Sequence, residues 1–314
     1  MTDHPTSPFT SLLVPLDGSP RSEEALPYAL AILGKGNGAT ITALHVVPDA
    51  EPLRKPLGQI TKTADEVMAE LTADAQAQLQ AAVERTGAVA AGLRVDTVVR
   101  FGNVGDTILD VADELAVDAV VMAGSGRGLL SRLALGSVAD RVSRESTRPT
   151  LVVREHEPGE PGAAPTIGRI VVPLDGSERG RAALPRATAL AKHLSASIAL
   201  ITVVEPQTQM GAAAIGGAAF SAEMYTELDE AVEAVAREQL AEAEKSLATS
   251  GVAVTTELAH GSAAGAVMAF ATPADLIVMT SRGHGGIKRM VLGSVANTIV
   301  REGPAPVLLV PSTE

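Results

Sequence analysis

Hydrophobic and polar residues follow two recurring patterns along the chain: short, almost wholly apolar runs and longer segments with apolar residues three or four apart. The first pattern is typical of strands covered on both faces, and the second of helices with one buried face. In the first half they predict strands over 12–17, 40–47, 93–100, 118–123 and 150–153, and helices over 19–34, 61–86, 104–116 and 137–146. This alternation predicts an α/β fold with a parallel sheet and helices on both of its faces.

The second half repeats the first. The six letters of Val14–Ser19 return at Val172–Ser177, and Leu135–Ala139 returns at Leu292–Ala296. A period of about 157 residues has the size of a domain, which predicts a duplicated domain. The matching elements are strands over 169–174, 197–204, 252–259, 275–280 and 306–310, and helices over 178–193, 221–249, 263–272 and 294–302.

Pro, Gly and Glu enrich residues 154–166, a composition typical of linkers. The domains are therefore predicted over residues 1–154 and 167–314, with a linker over 155–166. The glycine- and alanine-rich stretch 206–220 is expected to be a mobile loop. On the helix after it, one apolar stripe is interpreted as the core face: Leu228, Val232, Val235, Leu240, Ala243 and Leu247.

Composition narrows the function classes. Among 314 residues the formal net charge is −12, which argues against nucleic-acid partners and a polybasic membrane contact. Cysteine is absent, so disulfides, thiolate metal sites and a Cys nucleophile are excluded, and the six histidines share no metal-ligand spacing. No apolar run approaches the roughly 20 residues of a membrane span, and the first ten residues lack signal-peptide features. A cytoplasmic protein is expected.

Two carboxylates end the first strand of each half, Asp17 and Asp175, each followed by Gly-Ser. Open parallel sheets bind ligands beyond the carboxyl ends of their strands, where such a carboxylate can accept hydrogen bonds from a ribose or a base. The alternative is that each Asp only caps the following helix.

A glycine-containing loop follows the fourth strand of each half and ends, nine residues after Gly126 or Gly283, at Gly136-Ser137 or Gly293-Ser294. Glycines let backbone amides approach an anion, and the helix N-terminus adds positive potential. Ser137 and Ser294 are expected to be the N-caps. Nearby positive charge comes from Arg127, Arg132, Arg282, Lys288 and Arg289. The alternative is a surface loop with solvated basic residues.

Other signatures are missing from the sequence. There is no Gly-x4-Gly-Lys-[Ser/Thr] loop, the glycines at 124–128 do not form a dinucleotide fingerprint, and Ala123 breaks the Gly-x-Ser-x-Gly elbow of hydrolases.

These motifs together resemble a tandem universal stress protein of the ATP-binding type over about residues 10–154 and 167–311. The family pattern Gly-x2-Gly-x9-Gly-[Ser/Thr] reads Ala123-x2-Gly126-x9-Gly136-Ser137 and Thr280-x2-Gly283-x9-Gly293-Ser294. Three of the four motif positions are present in both copies. Ala123 and Thr280 replace the first glycine.

The resemblance implies two doubly wound domains, each a five-stranded parallel sheet of order 3-2-1-4-5, and ATP (or ADP or AMP) as ligand, with Mg²⁺ arriving on the nucleotide. It implies binding residues in the first half at Pro15, Asp17, Val46, Met122, Ala123, Gly126, Arg127, Gly136, Ser137 and Val138. The second-half residues are Pro173, Asp175, Val203, Met279, Thr280, Gly283, His284, Gly293, Ser294 and Val295.

The resemblance further implies a nucleotide-dependent regulatory role with an unidentified protein partner, pairing of the two domains through their fifth strands, and a homodimer. A slow ATPase and a nucleotide-free interaction scaffold remain alternatives. No carboxylate base is evident in the phosphate loops, so no catalytic residue is assigned.

Overall fold

The computed structural model describes residues 7–34, 38–49, 63–87, 92–124, 135–154, 165–205, 222–281 and 292–311. These residues divide into two compact units, one through residue 166 and one from residue 167 onward. The predicted mobile loop at 206–220 lies outside the described residues.

The first unit is a parallel sheet of order β3-β2-β1-β4-β5 with helices between successive strands. Its strands are β1 (Ser11–Pro15), β2 (Thr40–Val47), β3 (Arg94–Phe101), β4 (Ala119–Ala123) and β5 (Thr150–Val153). Its helices are α1 (Pro20–Glu23), α2 (Ala25–Leu33), α3 (Ala64–Thr86), α4 (Val104–Glu114) and α5 (Ser137–Glu145).

The second unit repeats this plan with the order β8-β7-β6-β9-β10. Its strands are β6 (Arg169–Leu174), β7 (Ser197–Val204), β8 (Val254–His260), β9 (Asp275–Thr280) and β10 (Val307–Val310). Its helices are α6 (Glu178–Arg181), α7 (Leu184–Leu194), α8 (Ala222–Leu247), α9 (Ala263–Phe270) and α10 (Ser294–Glu302). The predicted α/β class and the 3-2-1-4-5 order are confirmed in both units.

The central strands form the core of each unit. Leu12, Leu13 and Val14 of β1 are fully buried, as are Ile170 and Val171 of β6. In the first unit α3 packs on β2 and β3, while α2 packs on β1 and β4. Burying each such aliphatic side chain stabilises the fold by about 1.5–3 kcal/mol, which is why the apolar runs specify the strands.

A capping box sets the start of α3. The Thr63 hydroxyl accepts from the Glu66 amide, and the Glu66 carboxylate accepts from the Thr63 amide. This reciprocal pair satisfies two free amides at the helix start, so α3 begins at Ala64 and not at the predicted 61. The predicted stop at Gly87 is confirmed, with a φ of 64°.

The single helices predicted over 19–34 and 178–193 are wrong, because each is two helices. A break falls at Glu24 in the first unit and at Ala182–Ala183 in the second. Pro27 and Pro185 explain the breaks. Proline has no amide to donate to the carbonyl four residues earlier, so a new helix must start with proline in its first turn.

The predicted core stripe of α8 is correct only in its C-terminal half. Leu240, Ala243 and Leu247 are at most 7% exposed, whereas Leu228 is 47% exposed and Val235 53%. At 3.6 residues per turn Leu228 and Val235 lie on a different side of α8 from Leu240, Ala243 and Leu247. The predicted stripe therefore combines a buried face with an exposed one.

Candidate functional site

The carboxyl ends of β1 and β4 lie side by side, because these strands are neighbours and parallel. From β1 the chain continues toward β2, and from β4 it continues toward β5 on the opposite side, so a crevice opens between their C-terminal loops. Beyond the end of β1, Leu16 still donates to the carbonyl of Leu44, at 2.7 Å, which fixes the path of the chain toward Asp17.

Asp17 organises the turn between β1 and α1. Its Oδ1 accepts from the amide of Ser19, at 2.9 Å, and from the hydroxyl of Ser19, at 2.6 Å. The Ser19 hydroxyl in turn accepts from the Ser22 amide as the N-cap of α1. The cap of α1 is therefore Ser19 and not Asp17, so the alternative that the aspartate itself caps the helix is wrong. Asp17 instead forms an Asx turn on Ser19, which holds its carboxylate in one orientation at the edge of the crevice.

The second unit builds the same turn around Asp175, whose Oδ1 accepts from the amide and the hydroxyl of Ser177 at 3.0 and 2.6 Å. The two turns differ in what lies against the carboxylate. Gly180 stands where the first unit has Ser22, and a Cβ on Gly180 would lie 2.5 Å from Asp175 Oδ1. In the first unit the Ser22 hydroxyl instead accepts from the amide of Asp17.

Gly136 and Gly293 are the N-caps of α5 and α10, so the prediction that Ser137 and Ser294 are the caps is wrong by one residue. Each glycine amide bonds back to the end of the fourth strand, from Gly136 to the carbonyl of Gly124 at 2.7 Å and from Gly293 to that of Ser281 at 2.9 Å. These hydrogen bonds hold the start of α5 next to the end of β4 and the start of α10 next to the end of β9.

Neither helix start receives a side-chain cap among the described residues. A glycine cap offers no acceptor, so the amides of Ser137 and Val138, and likewise of Ser294 and Val295, present the positive end of the helix dipole at the crevice. Such an arrangement accepts an anion.

The remaining predicted site residues occupy matching places in the two units. Pro15 and Pro173 lie late in β1 and β6, Val46 and Val203 are the next-to-last residues of β2 and β7, and Met122-Ala123 and Met279-Thr280 end β4 and β9. All of them are therefore at the carboxyl edge. The predicted phosphate-loop residues lie outside the described part of the chain: Gly126, Arg127, Arg132, Arg282, Gly283, His284, Lys288 and Arg289.

A cavity of about 470 Å³ opens at this edge in the first unit. Ser137 and Val138 of α5 line it, together with residues that the sequence reasoning missed: Pro48, Asp49, Gly102, Asn103, Val104, Gly105 and Arg141. A signal for Arg141 was present in the sequence, since a residue four positions after Ser137 lies on the same face of a helix.

Arg141 brings a cation to the wall of that cavity. Its guanidinium forms ion pairs with Asp106 of α4 and with Glu145 one turn further along α5. Its side chain also lies where a Cβ on Gly105 would be, at 2.8 Å from Arg141 Cδ. Gly105 thus leaves room for the guanidinium. The second unit has Thr298 at the matching position.

A second polar cluster marks the amino edge of each sheet, opposite the crevice. Asp118 accepts from the amide and hydroxyl of Thr10 and from the amide of Ser11. Asp275 pairs with Arg169, with Nη2 at 2.6 Å from Oδ2. Burial would raise the pKa of both carboxylates, but these hydrogen bonds outweigh it and hold both pKa values below the ordinary one. The cluster stabilises the fold.

The described residues contain no group of three acidic or histidine side chains placed to hold a metal ion. Within the same residues, no helix combines the length and apolarity needed to cross a membrane.

A sequence model of the universal stress protein family matches residues 8–154 and 166–311. A universal stress protein of Mycolicibacterium smegmatis is 25% identical over 300 residues, which is 95% of this chain and 96% of that protein. One from Methanocaldococcus jannaschii is 35% identical over 144 residues, 45% of this chain and 81% of that protein. The crystal structure of a universal stress protein from Archaeoglobus fulgidus has a TM-score of 0.65 at 22% identity, covering 98% of this chain and all of that one.

Proposed function

Because both halves of the chain belong to the universal stress protein family, we propose that each domain binds an adenine nucleotide and that the protein is a nucleotide-dependent regulatory module of the stress response. One observation carries the proposal. In both domains a carboxylate fixed at the end of the first strand stands across a crevice from a glycine-capped helix N-terminus that follows the fourth strand.

The chemistry of the donor set fits ATP, ADP or AMP. In the first domain the amides of Ser137 and Val138 would hold phosphate oxygens beside the glycine cap Gly136, while Asp17 would accept from the ribose or the adenine. The backbone of Val46 would bond the adenine edge. Mg²⁺, when present, would be held by phosphates and water, since no protein ligand set is formed among the described residues.

The second domain offers the same groups through Asp175, Val203, Ser294 and Val295, beside the glycine cap Gly293. Exchange of the bound nucleotide would give the protein two states to present to a partner. Pairing of the fifth strands, assembly into a homodimer and a cytoplasmic location remain predictions. Sheet edges of this kind favour strand pairing.

Calorimetry of ATP binding to the full chain tests the proposal. We expect two sites per chain, one in the Gly136→Glu or the Gly293→Glu variant and none in the double variant, with native far-UV dichroism throughout. A carboxylate about 4 Å from a phosphate charge costs on the order of 4 kcal/mol at an effective dielectric of 20, enough to abolish binding.

Gln78→Glu is the matched control, because it adds the same charge on an exposed face of α3. Its affinity should equal that of the unmodified chain. Absence of ATP, ADP and AMP binding by the folded chain would favour the nucleotide-free scaffold, and release of phosphate at a steady rate would favour the slow ATPase.

A further inference from the structure

The N-terminal half of α8 carries an apolar stripe that faces solvent. It consists of Met224, Leu228, Ala231 and Val235, spaced four, three and four residues apart. Met224 is 50% exposed, Leu228 47% and Val235 53%, and Ala231 is exposed as well. We call these four residues the α8 stripe.

The α8 stripe is distinct from the face that α8 buries against the sheet. That face is formed by Ala236, Leu240, Ala243 and Leu247, all at most 7% exposed. Successive spacings of four and three residues keep a stripe on one side of a helix, in the repeat by which two helices pack along a seam. Large apolar side chains that stay exposed in such a row mark an interaction surface.

Acidic residues flank the α8 stripe. Glu227, Glu230 and Glu238 are exposed beside it. Residues 222–240 hold six acidic side chains and one basic side chain, Arg237, which is paired with Glu233. The surface around the stripe is therefore strongly negative.

The negative charge beside the α8 stripe indicates which kind of partner can bind there. A second copy of this chain would bring a second acidic flank against the first, and like charges facing each other across a helix seam oppose association. A helix with lysines or arginines beside its apolar face would instead form ion pairs along the flank. We propose that the α8 stripe is a docking site for a basic amphipathic helix of a partner protein.

The first domain provides an internal contrast. When the buried Ala75 and Leu79 of α3 are aligned with the buried Ala236 and Leu240 of α8, Glu70 stands at the position of Ala231 and Asp74 at that of Val235. Both residues are exposed. Val67 stands at the position of Leu228 and Thr63 at that of Met224, so α3 keeps one large apolar residue of the row and replaces its C-terminal part with two acids. This contrast favours the second domain as the docking site.

The probe for a direct test is a labelled three-heptad peptide with leucine at its seam positions and lysine beside them. We expect fluorescence anisotropy to show saturable binding to the full chain, and Val235→Asp to weaken it at least tenfold. Val235→Asp adds a negative charge, which electrostatics alone would make favourable for a cationic peptide, so the loss isolates the apolar contact. Thr226→Asp, which adds the same charge elsewhere on α8, should bind as tightly as the unmodified chain.

Two further readouts separate the contributions. Glu227→Lys with Glu230→Lys should weaken binding, and the same peptide with glutamate in place of lysine should not bind. Because the chain has no cysteine, a single Val235→Cys variant can be labelled cleanly with a maleimide. The peptide should protect Val235→Cys and leave Thr226→Cys reactive.

The proposal would be overturned if the peptide did not bind the unmodified chain, or if it bound Val235→Asp equally well. A Val235→Cys thiol that is unreactive without the peptide would also overturn it, because the chain itself would then cover the stripe. So would self-association in sedimentation that Val235→Asp abolishes, because a second copy would then be the occupant.

Discussion

Arg85 of α3 holds both carboxylate oxygens of Glu23 in α1, with Nε 3.1 Å from Oε2 and Nη2 2.6 Å from Oε1. The second domain ties its short helix α6 to its long helix α8 with the charges exchanged, from Arg181 to Glu242 at 2.9 Å. Both domains thus have an ion-pair tether between their first helix and their long helix, but the arginine and the glutamate are exchanged.

This tether should behave as a modest, salt-sensitive contact. Because the Arg85 side chain is 58% exposed, its coupling to Glu23 should amount to about 0.2–1 kcal/mol in a double-mutant cycle with alanine. Urea unfolding of the full chain measures it, and high salt should reduce it. A coupling that grows with salt would show that the stabilisation comes from apolar packing of the arginine stem.

A buried hydroxyl in α5 should destabilise the first domain. Ser143 Oγ is buried with no hydrogen-bond partner in the described part of the chain, and the matching residue of the second domain is Val300. Ser143→Ala should therefore raise the free energy of unfolding by about 1 kcal/mol, because a desolvated hydroxyl is removed. Thermal unfolding followed by dichroism would detect it. A lowered midpoint would mean that the hydroxyl holds a partner such as water.

The carboxylate of Asp275 should make stability depend on pH. Its folded pKa lies below the ordinary value, so its contribution is present at neutral pH and is lost as pH falls through the folded pKa. Asp275→Asn should cost about 3 kcal/mol at pH 7, because Arg169 loses its ionic partner, and much less near pH 2. Urea titrations at the two pH values give the difference. An equal cost at both would exclude the ionic contribution.

Arg141 should strengthen nucleotide binding in the first domain only. We expect Arg141→Thr, which installs the residue of the second domain, to weaken ATP binding about tenfold while AMP binding falls less. Calorimetry on a Gly293→Glu background isolates the first site. Equal losses for ATP and AMP would place the guanidinium away from the outer phosphates.

The two sites should also differ in their response to salt and pH. The second loop carries Arg282, His284, Lys288 and Arg289, whereas the first carries Arg127 and Arg132. More positive charge should give the second site tighter ATP binding, and protonation of His284 below about pH 6.5 should add to it. ATP titrations at two pH values and two salt concentrations, with either site blocked by glutamate at its glycine cap, compare them. Tighter binding by the first site would contradict the charge argument.

The fold was predicted well because the same order of strands, helices and motifs occurs twice in the sequence. Short apolar runs rich in β-branched residues, such as Thr40–Val47, favour covered strands, and the repetition of Val14–Ser19 at Val172–Ser177 indicated the domain plan. The helix breaks were not predicted, because apolar periodicity continues across both of them. Pro27 and Pro185 were the signals for the breaks, since the backbone constraint of proline outweighs a continuous apolar pattern.

The site was harder to predict in its details. Sequence spacing led to Asp17 and Gly136, which lie at the carboxyl edge, but it placed the helix cap on Ser137, since a hydroxyl is the usual cap and glycine offers none. Arg141 could have been predicted from its helical spacing to Ser137, whereas the glycines after β3 line the cavity through tertiary packing that no linear motif encodes. Leu228 and Val235 are exposed because they lie on a different side of α8 from the buried Leu240, and apolar spacing alone did not separate the two sides.

The exchange of Ser22 for Gly180 means that the two turns hold the same carboxylate in different surroundings. With glycine at position 180, Asp175 Oδ1 lies 2.5 Å from the place that a Cβ would take, so a serine there requires the carboxylate to shift. In the first domain the Ser22 hydroxyl instead accepts from the amide of Asp17. The two turns are therefore not interchangeable one residue at a time: Gly180→Ser alone would move the carboxylate that faces the crevice of the second domain.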